Sequence, residues 1–377
     1  MRVTLVTAHY PPKLSGHADF CEHLAAALTA EGLEVTVLVL GAEEATPSPS
    51  HAVLTAPFPG TRGGLREALD RIETTEPDVV CLQFEAHAFR LEWMPHLLGP
   101  ALRRRDVPTV MTYHELWKPG RFGHLPKALL LNSVDRVVGF SHWHAEGIDR
   151  YRKLGKPADI IACSSNIIEP PVGDRRLLRA RFGVPIDEFL VTFFGFVIRE
   201  HKVEELLHAV ADLRADGTDA RLQAIGRFDP TVDGYHQRLV DLAADLRITD
   251  SVTWHGRVMD QADVARLLLM SDAGALPYDT GAAENNGAFA ALAHYGVPTI
   301  TTTGARSAHM ESQDIAEFVE PSAAGLGRGL RRLARDDARR ELLGKRIAEW
   351  AERRSWEHTG AAYAHLLRGG LEHVEVI

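Results

Sequence analysis

The sequence predicts an α/β protein made of two doubly wound parallel sheets. Three observations carry that prediction. Apolar runs of strand length alternate with helix-period segments along nearly the whole chain, the alternation comes in two sets, and a short Pro-bearing stretch separates the sets. The 377 residues suffice for two or three domains, and a hydrophobic content of 45% is that of an ordinary globular protein.

The first set opens with a strand at 3–7, a helix over 17–31 and a strand at 34–40. Phe20, Leu24 and Leu28 share one helical face, and Gly32 follows as a C-cap. Strands recur at 78–83, 108–113, 136–140 and 160–164 with helical patterns between them, and 165–174, which holds Pro170-Pro171, has linker composition. The second set runs as strand 189–194, helix 203–215, strand 220–225, helix 235–246, strand 251–254 and helix 261–270. A strand at 273–276 then passes through Pro-Tyr-Asp-Thr-Gly and Glu284-Asn285-Asn286-Gly287 into a small-residue helix over 288–295. Asn285 or Asn286 is its natural N-cap, Gly296 stops it, and a β-branched strand follows at 297–302. Helices over 328–354 come next, and Ser355-Trp356-Glu357 begins a last helix to about 368. Two such domains on a short linker are expected to leave a cleft between their facing loops.

Composition narrows the function classes. A formal charge of −9 argues against a nucleic-acid partner and against standing attachment to an anionic membrane. Arg103-Arg104-Arg105 reads as a solvated helix end. Cys21, Cys81 and Cys163 lie far apart in apolar segments and read as reduced core residues. No apolar run approaches the ~18 residues of a membrane span, and the chain enters a strand at once with no signal-like region, so a cytoplasmic location is expected.

Chemistry-bearing candidates lie at predicted strand ends. Pro11-Pro12-Lys13-Leu14-Ser15-Gly16 joins the first strand to the first helix and is too poor in Gly for a dinucleotide fingerprint. Tyr113-His114-Glu115 follows the strand at 108–113 and puts His114 at a carboxyl edge. Ser141-His142-Trp143-His144 offers two imidazoles but no third ligand, and reads as a surface cluster at a helix start. In Phe194-Gly195-Phe196-Val197-Ile198-Arg199-Glu200-His201-Lys202, Lys202 precedes the apolar face of Leu206, Leu207 and Ala209. The start of the helix at 288–295, with free N–H groups at a sheet edge, is a ready anion site. The sequence contains no Asp-x-Asp.

The order of acidic loop, Gly, Ala-rich helix, Gly-x-Pro and strand in 272–302 resembles the donor-binding segment of glycosyltransferase family 4, retaining enzymes of the GT-B fold. The resemblance implies two Rossmann-like domains facing across a cleft. Residues 1–170, with a returning helix at 356–377, would form the acceptor side, and 171–355 the nucleotide-sugar side. It implies that Arg199 and Lys202 clamp the diphosphate with Gly16 and the helix start at Asn286, Gly287 and Ala288. It places Glu284 and His114 on the sugar, and Ser15, Gly16, His17 and His114 on the acceptor side. The family's Arg beside the first Gly of the clamp is Phe196 here, with Arg199 as the substitute. The family's second glutamate falls on Ala291 or Leu292, so a branch with Ala-Ala-Leu-Ala in this helix looks the closer relative. The implied activity is retaining transfer from a nucleotide diphosphate sugar to a small polar acceptor, with no metal or other cofactor. A nucleotide-sugar epimerase of the same architecture and a non-catalytic nucleotide-sugar-binding module are the alternatives.

Overall fold

A computed structural model describes residues 1–116, 124–154, 157–170, 173–256, 260–370 and 372–376. They form two compact units, Met1–Asn166 with Arg354–Ile377, and Ile167–Arg353. Pro171 of the predicted linker lies outside the described residues.

In the first unit, strands β1 (Arg2–Thr7), β2 (Glu34–Leu40), β3 (Ala52–Ala56), β4 (Val79–Phe84), β5 (Thr109–Tyr113), β6 (Arg136–Gly139) and β7 (Asp159–Ile161) alternate with helices. These are α1 (Gly16–Ala30), α2 (Arg62–Glu73), α3 (Leu98–Arg103), α4 (His124–Leu131) and α5 (His142–Asp149). Successive strand side chains point to opposite faces, and both faces here are apolar. Val6, Val80 and Leu82 enter one core with α2 and α3 residues, while Val3, Leu5, Val79 and Cys81 enter another with α1. Strand β3 was not expected from sequence: at the sheet edge it pairs only with β2, and its residues are mostly half-buried, so its apolar signal is weak.

The second unit begins with α6 (Arg175–Arg181) and runs through β8 (Phe189–Phe194), α7 (Val203–Ala215), β9 (Ala220–Ile225), α8 (Gly234–Asp245), β10 (Val252–His255) and α9 (Gln261–Leu269). It continues as β11 (Ala273–Leu276), α10 (Gly287–His294), β12 (Thr299–Thr302), α11 (Ala308–Glu311), β13 (Glu317–Val319), α12 (Ala323–Arg335) and α13 (Asp337–Glu352). The six parallel strands take the order β10-β9-β8-β11-β12-β13. The order reverses between β8 and β11, the place where ligands bind at the carboxyl ends of an open α/β sheet. The helical stretch expected over 328–354 starts earlier, at a Ser322 cap, and divides at Asp336, whose side chain accepts from the Arg339 amide. Strand β12 starts at Thr299 rather than 297, because the Val297 amide closes the end of α10 on Leu292 and Pro298 has no N–H.

The chain then rejoins the first unit through α14 (Trp356–Leu367). Trp356 Nε1 donates to the Ser165 carbonyl at 2.7 Å, and its ring lies 5.2 Å from Phe20. Gly360 lets α14 approach α1 closely, since a Cβ there would stand 2.9 Å from Ala27 Cβ. The segment 356–377 is not one helix. It stops at Leu367, turns at Gly369 with φ 84°, and ends in β14 (Glu375–Val376), which pairs with β7. Arg136 holds this end down by donating to the carbonyls of Gly370 and Glu372 and pairing with Asp159. The eight parallel strands of the first sheet are thereby ordered β14-β7-β6-β5-β4-β1-β2-β3, with the reversal between β4 and β1.

Candidate active site

In the second unit the candidate residues gather at the carboxyl ends of β8 and β11. Gly195 leaves β8 with φ 134°, and a Cβ on it would sit 3.8 Å from Ala288 Cβ and 4.0 Å from the Tyr278 hydroxyl. The loop after β8 therefore lies against the first turn of α10. Arg199 to His201 make one tight turn, and Lys202 ends it in the left-handed region (φ 48°) as the residue that starts α7. Lys202 Nζ stands 3.4 Å from Asp279 Oδ1, with both side chains about half exposed. The His201 ring packs 4.6 Å from the Tyr278 ring, and His236 Nε2 donates to the Val197 carbonyl at 2.8 Å, so the loop is held from two sides. Arg199 is placed differently from Lys202. Its guanidinium lies over the Tyr235 ring on α8, 5.3 Å from the centroid, and the Tyr235 hydroxyl donates to Glu204. The Arg199 carbonyl accepts from the Lys202 amide at 3.1 Å, but among the described interactions the Arg199 side chain meets neither Lys202 nor α10. Phe196, where the family has Arg, is 67% exposed.

Asn286 is the cap of α10, its side chain accepting from the Phe289 amide at 2.8 Å. The Gly287 and Ala288 amides of the first turn then have no intrahelical acceptor, and the space a Gly287 side chain would take is open. Glu284, on the loop before the cap, is only 1% exposed. Ala291 and Leu292 both point into an apolar core with Phe289 and Trp350. An acid at either position would be buried in that core rather than presented to a ligand, which accounts for the Ala-Ala-Leu-Ala of this helix.

The first unit collects the other candidates around the carboxyl ends of β1, β4 and β5. Ser15 caps α1 by accepting from the Ala18 amide, and its Oγ lies 3.5 Å from His9 Nδ1. The Gly16 carbonyl accepts from Asn166 at 2.9 Å, and the place of a Cβ on Gly16 is otherwise open. His17 is buried, with Nε2 at 2.9 Å from Thr7 Oγ1 and Nδ1 at 3.3 Å from Glu85 Oε2. Burial pulls its pKa down to about 3. The His114 ring sits 4.3 Å from His17 and between Phe20 and Phe140. Burial, then the neighbouring His17 and His144, hold it well below its usual pKa, so it is neutral near pH 7. His114 Nε2 donates to Gln83 Oε1 at 2.8 Å, which leaves Nδ1 as the acceptor nitrogen. Ser15, Gly16, His17 and His114 thus belong to one unit, and Arg199, Lys202, Glu284, Asn286, Gly287 and Ala288 to the other.

Two residues at these edges were missed in the sequence reading. Asp279, in the Pro-Tyr-Asp-Thr-Gly loop, is the counter-charge of Lys202. Glu85 directly follows β4, and burial pushes its carboxyl up to about 7, with Glu115 adding to the rise. Their only signal was position just past a strand's carboxyl end. The Ser141–His144 reading needs correction: it is a helix start, with Ser141 accepting from the His144 amide, but Ser141 and His144 are buried rather than on the surface. Among the described residues no group of three or more His, Cys, Asp or Glu is arranged to hold a metal ion. No described helix is long and apolar enough to cross a membrane.

The model of Glycosyltransferase Family 4 matches residues 14–164, and that of Glycosyl transferases group 1 matches residues 174–350. A comparison with curated proteins returns no match. Among solved structures, a sucrose-phosphate synthase from Thermosynechococcus elongatus is similar at 20% identity and TM-score 0.75, over 97% of this chain and 98% of that one. HepE from Anabaena, solved with UDP and glucose, is similar at 15% identity and TM-score 0.73, over 98% of this chain and 99% of that one. A glycosyltransferase from Rickettsia africae is similar at 13% identity and TM-score 0.75, over 98% of both chains. At these identities the likeness is one of fold. With the two family models matching one on each unit, the chain belongs to glycosyltransferase family 4 and has the GT-B fold.

Proposed function

We propose that this glycosyltransferase moves a sugar, with retention at the anomeric carbon, from a nucleotide diphosphate sugar to a small polar acceptor. The observation that carries the reading is the pairing of Lys202, on its left-handed turn, with the uncapped amides of α10 at the same sheet edge. A departing diphosphate gathers negative charge as the glycosidic bond breaks. An ammonium group and fixed N–H dipoles stabilise that charge without a metal. Asp279 then acts as a resting counter-ion that the diphosphate replaces on Lys202. Residues 171–355 would hold the donor, and residues 1–170 the acceptor. The neutral His114, with Nδ1 as acceptor, suits a hydrogen bond from a sugar hydroxyl. In this mechanism a leaving phosphate oxygen takes the acceptor proton, and no protein base is needed. The solved HepE complex contains UDP, which makes a uridine nucleotide the first donor to try. The free thiols of Cys21, Cys81 and Cys163 support a reducing, cytoplasmic setting.

The test incubates the protein with UDP-, GDP-, dTDP- and ADP-sugars, with and without sugar, sugar phosphate and polyol acceptors, in EDTA throughout. The expected result is a glycoside with the donor's anomeric configuration by NMR, formed only with acceptor. A sugar altered without acceptor would identify an epimerase, and no conversion with any pair a binding module. Activity that appears only after Mg²⁺ or Mn²⁺ is restored would overturn metal independence.

A further inference from the structure

The first unit contains a cavity of about 510 Å³ at the carboxyl ends of β1 and β2 and beside the loop after β4, where its strand order reverses. That volume is in the range of small-molecule sites and takes one or two sugar rings. Its lining has an unusual charge pattern. Lys13 and Arg90 line it, and so do Glu43 and Glu44. Among the described residues none of these four side chains makes an ion pair or a side-chain hydrogen bond, although opposite charges share one hollow. The Arg90 guanidinium lies over the Phe58 ring, 4.2 Å from its centroid. Phe58 is itself fixed against Gly41, where a Cβ would come within 2.8 Å of it. Stacking of this kind holds the guanidinium plane and leaves its N–H edge for a ligand. Lys13 and His9 both line the cavity, and the Lys13 charge adds to burial in lowering the pKa of His9.

Resting on the glycosyl-transfer reading above, we infer that this cavity binds the acceptor, and that the acceptor is a small polyhydroxylated molecule carrying both an amine and an anionic group. These four side chains are exposed, and a neutral polyol would leave their charges to solvent and draw no charge-assisted hydrogen bond from an ionic partner. A purely anionic one would answer Lys13 and Arg90 and meet Glu43 and Glu44 as like charges. A zwitterion satisfies both pairs, with the anion on Lys13 and Arg90 and the ammonium on Glu43 and Glu44.

The test is calorimetric binding to the full chain without donor, using glucosamine 6-phosphate, muramic acid, glucose 6-phosphate, glucosamine and glucose. Glucosamine 6-phosphate or muramic acid, whichever anion the site takes, is expected to bind at least tenfold more tightly than each sugar that carries charge of one sign only, and glucose most weakly. In a Lys13→Ala/Arg90→Ala variant the zwitterion should fall to the level of glucosamine. In a Glu43→Gln/Glu44→Gln variant it should fall to the level of glucose 6-phosphate. All probes binding alike, none binding, or both variants losing every probe equally would overturn the assignment. Release of nucleotide from the donor by wild-type protein without acceptor is measured alongside. Charge-selective binding with no turnover on any donor would count against glycosyl transfer and leave the cavity assignment standing.

Discussion

Burial decides what the ionisable side chains at these two sheet edges can do. Glu284 is 1% exposed, two residues before the cap of α10. If it serves only the helix start, its charge contributes ~0.3–1 kcal/mol of stability. If it accepts hydrogen bonds from the donor sugar and favours positive charge at the anomeric carbon, its value lies in turnover. Glu284→Gln separates these. We expect turnover to fall tenfold or more, about 1.4 kcal/mol in barrier, with binding of free nucleotide little changed. A Gln variant with wild-type turnover and slightly lower stability would leave Glu284 as a helix-start residue. His17 and Glu85, 3.3 Å apart, show the second consequence of burial. As pH falls from 6.5 to about 3, the unfolded chain protonates a histidine that the folded chain keeps neutral, so stability falls in that direction. Glu85 acts oppositely. Its carboxyl rises from 4.5 to about 7, so between those values the folded chain holds a proton the unfolded chain has lost, and stability falls as pH rises. Between pH 4.5 and 6.5 the two contributions oppose each other, so Glu85→Gln should make the melting temperature rise with pH more steeply than in the wild type across pH 4.5–7 while leaving the acid-side decline below pH 4.5 in place. Parallel curves for variant and wild type would show that Glu85 is not the group responsible.

At the scale of elements, the tight turn at Arg199–His201 and the start of α10 form one working piece, joined through Gly195, Tyr278 and Asp279. The Lys202–Asp279 pair is too exposed to contribute much stability, because solvent screens it and ordering two side chains costs entropy. Lys202→Ala is therefore expected to leave the melting temperature nearly unchanged, to weaken diphosphate affinity, and to lower turnover at saturating donor and acceptor by tenfold or more. Unchanged saturated turnover would remove Lys202 from leaving-group stabilisation. The helix itself was legible in advance: small residues, an Asn before a Gly, and Gly296 as the stop all act within a few positions. Arg199 was not. Its place over the Tyr235 ring depends on α8, which local sequence does not place beside it.

For the whole molecule, the sequence by itself determined the class of fold and most of its elements. Apolar periodicity is a local property, and a strand buried on both faces or a helix with one apolar face shows it whatever its neighbours are. Strands β2, β8, β9 and β11 and helix α7 begin and end where the pattern says. Weakly buried edge pieces escaped, as β3 and β14 did, because a strand with one neighbour has little apolar signal. The family was also legible, since Gly, Lys and Gly-x-Pro occur at characteristic spacings near strand ends. Only the tertiary structure decided that Asp279 meets Lys202, that Glu85 meets His17, that His114 is enclosed by His17, Phe20 and Phe140, and that Lys13, Arg90, Glu43 and Glu44 share a cavity. Most of those partners sit in the loops and helix starts that follow different strands, and parallel pairing through crossover helices brings together residues whose separation along the chain carries no periodic trace.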